Sequence, residues 1–223
     1  MKSWVLGATG AIGKELLALL LADDEYSEVN MVTRRMIDKE HPKLKQHIVE
    51  FNQDYQLPVS HADVVFIAFG TTLKQAGSKE KQFEIDVEIP LHFLKKMKEQ
   101  GVMKCVVVSA LGVSEKSPFF YSRMKAALDK GAEDLNFDQL ILVKPSVLDS
   151  TRLEERRGEK VSIIVGNFLA KLGLFRKYRP IKVEHVAQAM LMSLDYASEK
   201  KMVYESSQLH DLAGIYRKEK RLV

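Results

Sequence analysis

Residues 7–13 read GATGAIG, set between the apolar run SWVL and a segment in which Ile12, Leu16, Leu19 and Leu20 recur at helical spacing. A glycine cluster that leaves a strand and opens a helix has a mechanical use. Gly7 lets the chain turn sharply off the strand, Gly10 lets the backbone approach a pyrophosphate, and Gly13 lets helix and strand pack closely. The helix beginning near Ala11 then offers unpaired N–H groups and the positive end of its dipole to phosphates. The spacing has one more residue between its first two glycines than the common dinucleotide fingerprint, and Thr9 supplies a hydroxyl to cap the turn.

Further apolar runs of strand length follow: VNMVT, HIVEF, DVVFIAF, KCVVVSA and DQLILVK. Between them lie helical spacings such as Phe83, Val87, Leu91, Leu94 and Met97. Near-continuous Val/Ile/Leu strands alternating with amphipathic helices predict an α/β fold, a doubly wound parallel sheet covered on both faces. The pattern is regular to Lys144. Residues 145–223, with VSIIVGNFLAKLGLF, VEHVAQAMLMSL, KMVYE and SQLHDLAGIYRKEK, read as a small C-terminal, substrate-side extension within a single domain spanning 1–223.

Composition narrows the function. At 223 residues, with 46% hydrophobic and 29% charged, the chain is an ordinary globular one. A net charge of +4 suits an anionic ligand but falls short of the dense basic stripe of a dedicated nucleic-acid binder, so no nucleic acid is expected as partner. Cys105, the single cysteine, cannot form an internal disulfide and sits in the apolar run CVVV, which points to a buried thiol and a reducing compartment. Lys14 and Glu15 split the apolar N-terminal stretch where an export signal needs unbroken length, and no other segment reaches membrane-span length. The expectation is a cytoplasmic protein with no membrane partner and no metal.

The second strand ends in Arg34 and Arg35, about 20 residues past the last glycine, where NAD-preferring sites present an acid to the ribose. Two guanidiniums there fit a 2′-phosphate, which favours NADP(H) over NAD(H); exposed charges flanking a helix are the plainer alternative. Asn52 and Asp54, near the end of the third strand, are candidates for the adenine edge. The fourth strand stops at GTT, residues 70–72, a small polar tip that should border the ligand crevice.

After the fifth strand comes SALGVSEKSPFFYSRMK. Tyr121 and Lys125 are four apart and share a helix face, with the ammonium beside the phenol. An unperturbed tyrosine, with a pKa of about 10, is a poor base at neutral pH, and a neighbouring cation favours its phenolate. Lys125 also has the reach to bond a nicotinamide ribose. Ser109, at the end of the fifth strand, supplies a hydroxyl to hold a substrate carbonyl. Phe119, Phe120, Phe168, Phe175 and Tyr178 are pocket candidates, with core packing expected for most. His185 is expected near a helix start.

Together, GATGAIG, TRR, FGTT, EIDVE, VSALG, YSRMK, KPSVL and PIKVEHVAQAM resemble the atypical, NADP-binding branch of the short-chain dehydrogenase/reductase superfamily, chiefly over residues 3–146. The resemblance implies an NAD(P)-binding Rossmann fold with cofactor contacts at Gly7, Thr9, Gly10, Ala11, Ile12, Gly13, Arg34, Arg35, Ala68, Gly70 and Thr71, joined by Tyr121 and Lys125. It implies a reductase triad of Ser109, Tyr121 and Lys125, and a Lys144-Pro145-Ser146 turn bordering the nicotinamide. Asp86 departs from it, since members with a full tetrad often carry asparagine on the helix after the fourth strand. The implied function is an NADP(H)-dependent oxidoreductase acting on a small carbonyl or alcohol substrate. The alternatives are a non-catalytic NADPH-sensing regulator with a protein partner and, more distantly, a nucleotide-sugar epimerase or dehydratase.

Overall fold

Alternation along the strands divides the apolar residues between two layers. In β1 (Lys2–Leu6), Val5 joins one core while Trp4 and Leu6 join the other; in β4 (Val64–Ile67), Val64 and Phe66 oppose Val65 and Ile67. Strands buried on both faces must lie between helical layers. The computed structural model, which describes residues 1–59, 61–149 and 179–219, shows this arrangement. The other strands of the main sheet are β2 (Glu28–Thr33), β3 (Leu44–Ile48), β5 (Lys104–Val108), β6 (Gln139–Lys144) and β9 (Lys201–Glu205). Their spatial order is β3-β2-β1-β4-β5-β6-β9, with every pairing parallel. This is the doubly wound Rossmann plan expected from the sequence. The order reverses at β1, whose neighbours are β2 and β4, and a ligand crevice forms outside the carboxyl ends of strands at such a point.

One layer holds α1 (Ala11–Ala22) and α6 (Val183–Tyr196), whose Leu16, Leu20 and Met190 pack on Val5, Phe66 and Val106. The other holds α4 (Ile89–Glu99) and α5 (Phe120–Asp134), whose Phe93, Leu94, Met97, Met124 and Leu128 cover Trp4, Val65 and Val107. Trp4 meets Phe93 edge to face at 6.0 Å. Full burial of each such side chain contributes roughly 1.5–3 kcal/mol. Of residues 145–223, β9 extends the main sheet beside β6, and α7 (Ser206–Glu219) packs with α6. A short parallel pair joins β7 (Leu148–Asp149) to β8 (Ile181–Lys182). The apolar run VSIIVGNFLAKLGLF, with Phe168, Phe175 and Tyr178, lies outside the described residues.

Two local expectations are corrected. The third strand runs over Leu44–Ile48 and not over HIVEF, because it is an edge strand. Its Lys45, Gln46 and His47 need no continuous apolar run, and its register follows backbone pairing of Val29 with Leu44 through Thr33 with Ile48. The helix through Phe83 to Met97 is interrupted. After α2 (Leu73–Ala76) and α3 (Lys79–Phe83) comes a π-helical turn, Glu84–Glu88, in which the Ile89 N–H donates to Glu84 O. Pro90 explains it: proline has no N–H for the carbonyl four residues earlier, that of Asp86, and its ring crowds that carbonyl.

Candidate nucleotide-binding and proton-transfer site

The glycine loop is held by backbone contact. Gly7 has φ +96°, a left-handed conformation, and a Cβ there would stand 2.3 Å from Ala68 O. A Cβ on Gly13 would stand 1.9 Å from Gly7 O, so helix and loop touch where a side chain would separate them. Gly10 N–H donates to Gly7 O at 2.9 Å, and Gly10 itself caps α1 in an extended conformation with no side-chain bond. Thr9, the residue expected to cap the turn, lines the groove. Ala11 is exposed, whereas Ile12 turns its side chain into the core and leaves only its backbone for a ligand. The uncapped first turn of α1 is a cradle suited to phosphate, and it fits the pyrophosphate of a dinucleotide.

From this cradle a groove of about 990 Å³ runs past the ends of β2 and β3 to the end of β4. Arg34 and Arg35 line one side, and Ala68, Gly70 and Thr71 close the far end. Both arginines are exposed and make no ion pair with the described residues. Their backbone is fixed: Thr33 Oγ1 donates to Arg35 O at 2.8 Å, and the Gln46 carboxamide on β3 accepts the Ile37 N–H at 2.9 Å and donates to Ile37 O at 3.0 Å. Asn52 lines the groove. Asp54 does not; Lys96 holds it at 2.8 Å, which keeps its carboxyl below the usual carboxylate range.

Beyond Gly70 the chemistry changes to side chains. Ser109 follows β5, its N–H donating to Val143 O at 2.8 Å, and its buried hydroxyl has no hydrogen-bond partner among the described residues. Tyr121 lies in the first turn of α5 and is 47% exposed. The loop before it is tied to that turn, because the Arg123 guanidinium donates to Ser117 O and Pro118 O at 2.8 Å each. One turn on, Lys125 is buried, with Nζ 3.2 Å from Asp86 Oδ1. Asp86 Oδ2 accepts the Thr71 N–H at 2.8 Å. Burial raises the Asp86 pKa, opposed by the Lys125 charge and the Thr71 bond.

The structure thus brings Lys125 to the end of the nucleotide groove, while Ser109, Tyr121 and Lys125 are not among the residues lining it. Lys144 forms a 2.7 Å ion pair with Asp129 on α5. Ser146 Oγ donates to Arg179 O at 2.6 Å, so this turn is anchored to the C-terminal elements. Of the two pocket candidates within the described residues, Phe119 is 73% exposed and Phe120 packs against the core. His185 sits in the first turn of α6, its ring 6.1 Å from that of His210. The Asp86 contacts were missed by sequence reasoning, although Pro90, four residues on, signals the irregular turn that carries them.

A family model described as NAD(P)H-binding matches residues 7–195, and the chain belongs to that family. It bears out the resemblance to atypical short-chain dehydrogenase/reductase proteins with a Rossmann fold. Among curated relatives, "Protein FMP52, mitochondrial" of Candida albicans is 28% identical over 206 residues, covering 89% of each chain. Among solved structures, a putative NAD-dependent epimerase/dehydratase from Bacillus halodurans superposes with a TM-score of 0.67 at 16% identity, covering 96% of this chain and 99% of that one. MoeE5 in complex with UDP-glucose and NAD gives a TM-score of 0.67 at 14% identity, covering 99% and 82%. The fold is shared with both. The relatives overturn the cytoplasmic expectation, since they are named as mitochondrial proteins. A lone buried thiol and the lack of long apolar segments speak to redox chemistry and membrane spanning, and neither separates one reducing compartment from another.

Proposed function

We propose that the protein is an NADP(H)-dependent oxidoreductase of the short-chain type, acting on a small carbonyl or alcohol substrate. The observation that carries this reading is the continuity at Gly70: a phosphate cradle with exposed arginines at one end of the groove, and Lys125 Nζ 3.6 Å from the position of a Gly70 Cβ at the other. The uncapped turn at Gly10, Ala11, Ile12 and Gly13 would hold the pyrophosphate, with Gly7 and Thr9 beside it. Arg34 and Arg35 would hold a 2′-phosphate through charge-assisted bonds, which favours NADP(H) over NAD(H). When bound, the dinucleotide supplies or accepts hydride.

The chain's own residues handle the proton. Ser109 offers to the substrate oxygen a hydroxyl that has no partner among the described residues. The Tyr121 phenol gives that oxygen a proton during reduction and takes one during oxidation. Lys125, one helical turn along α5 from Tyr121, places a positive charge at this end of the groove. The partner is a small molecule, with no part for nucleic acid or membrane.

A second reading, an NADPH-sensing regulator that presents a surface to a protein partner, draws on the Asp86 carboxylate, which offsets the Lys125 charge available to Tyr121. Tyr121→Phe separates the two. The enzyme reading expects NADPH binding to survive and carbonyl-dependent NADPH oxidation to vanish. Failure of wild-type protein to turn over any member of a broad carbonyl panel would favour the regulator.

A further inference from the structure

Asp86 has no part in the reaction proposed above, yet both of its oxygens are committed. Oδ2 accepts the Thr71 backbone N–H at 2.8 Å, and Oδ1 faces Lys125 Nζ at 3.2 Å, with the two side chains 2% and 7% exposed. Both partners are donors only, so the site demands two acceptors. An asparagine has one acceptor oxygen and an amino group, and in either orientation that amino group would face a donor in a buried place. The geometry therefore calls for a carboxylate where the resembling family often has asparagine. Gly70 closes the cluster, because a Cβ there would stand 2.7 Å from Asp86 Oδ1. Buried Gln82 holds the same strand exit from below, its Nε2 donating to Thr71 O at 3.2 Å.

We infer that Asp86 is a positioning residue. It ties the Lys125 ammonium to the exit of β4, so that the far end of the nucleotide groove and the cation one turn along α5 from Tyr121 keep one register. The π-helical turn ahead of Pro90 carries Asp86 in this arrangement, and turns of this kind recur at functional sites. The inference rests on reading Lys125 as a nucleotide-facing cation, and its consequence is that Asp86 acts on nucleotide binding through Lys125.

The test is a double-mutant cycle on the dissociation constant for NADPH or NADH, whichever the wild type binds more tightly, measured by calorimetry. Asp86→Asn and Lys125→Met should each weaken binding roughly tenfold, and the double variant should bind no more weakly than Lys125→Met alone. A purely structural Asp86 would add its loss to that of Lys125→Met. Wild-type affinity in Asp86→Asn, or losses that multiply in the double variant, would overturn the inference. Should Asp86→Asn not fold, Gly70→Ala displaces the same carboxylate. A full loss that persists when Gly70→Ala is placed in the Lys125→Met background would equally overturn it. Binding is read without turnover, so an inactive wild type sinks the proposed reaction while leaving the Asp86 result to stand or fall by itself.

Discussion

The two ends of the site treat positive charge in opposite ways. Arg34 and Arg35 stand exposed along the groove without an ion pair to any described residue, while Lys125 is buried and paired to Asp86. The nucleotide end is made largely of backbone, with Gly7, Gly13 and Ala68 in contact and the first turn of α1 uncapped. At the other end the cation is a buried side chain, Lys125, whose partner Asp86 lies inside the protein. A cation in water keeps its hydration and loses little until an anion arrives. A cation removed from water must have a partner already. Recognition of a diffusing phosphate is thus suited to the first arrangement, and holding one ammonium in a set place to the second.

The comparison can be broken most sharply at Tyr121. Its replacement by Phe should lower carbonyl-dependent NADPH oxidation by roughly 10³-fold, with nucleotide affinity close to wild type. A loss of affinity equal to the loss of rate would mean that the phenol serves binding alone. Next in size is Gly13→Ala, which drives a methyl into the Gly7 carbonyl at 1.9 Å. Denaturant unfolding should show a loss of about 3 kcal/mol, since neither the helix nor the loop backbone can yield cheaply. Wild-type stability would show that the loop adapts and that the close approach is not required.

Arg34→Ala combined with Arg35→Ala should weaken NADP(H) about 100-fold and NAD(H) less than about threefold, because exposed guanidiniums bind only what carries the extra phosphate. Equal losses for both nucleotides would remove the 2′-phosphate assignment. The smallest effect concerns His185 and His210, whose pKa values are lowered, chiefly by burial. A folded-state pKa below the unfolded value of about 6.5 means that the native state binds fewer protons, so this contribution is present above pH 6.5 and lost as pH falls through the folded values. Thermal melts should show stability declining on acidification below about pH 6.5. A His185→Gln/His210→Gln variant should flatten that decline, and an unchanged profile would count against the linkage.

The legible parts of the molecule were those in which one short stretch carries its own physical reason. GATGAIG lies between a strand and a helix, and its glycines sit where the backbones touch. The β3 edge was less legible, since the polar LKQHI has no apolar run to announce it and depends on β2 for its register. Asp54 illustrates the same limit: its preference for Lys96 follows from helix α4 passing under the loop that carries Tyr55, where His92 and Lys96 both meet the Tyr55 ring, which no local spacing reveals.

By itself, the sequence determined the doubly wound sheet, the glycine turn that opens α1 and the placing of Tyr121 and Lys125 one turn apart on a single helix, because each depends on periodicity or on residues within a few positions of one another. Only the tertiary structure decided which cations stand exposed and which are buried in an ion pair. Asp86, Thr71 and Lys125 lie on three separate segments, and their association depends on a π-helical turn set against the exit of β4 and the face of α5. Burial then enforces the pairing, since a charge removed from water must find its counterpart wherever the fold places one.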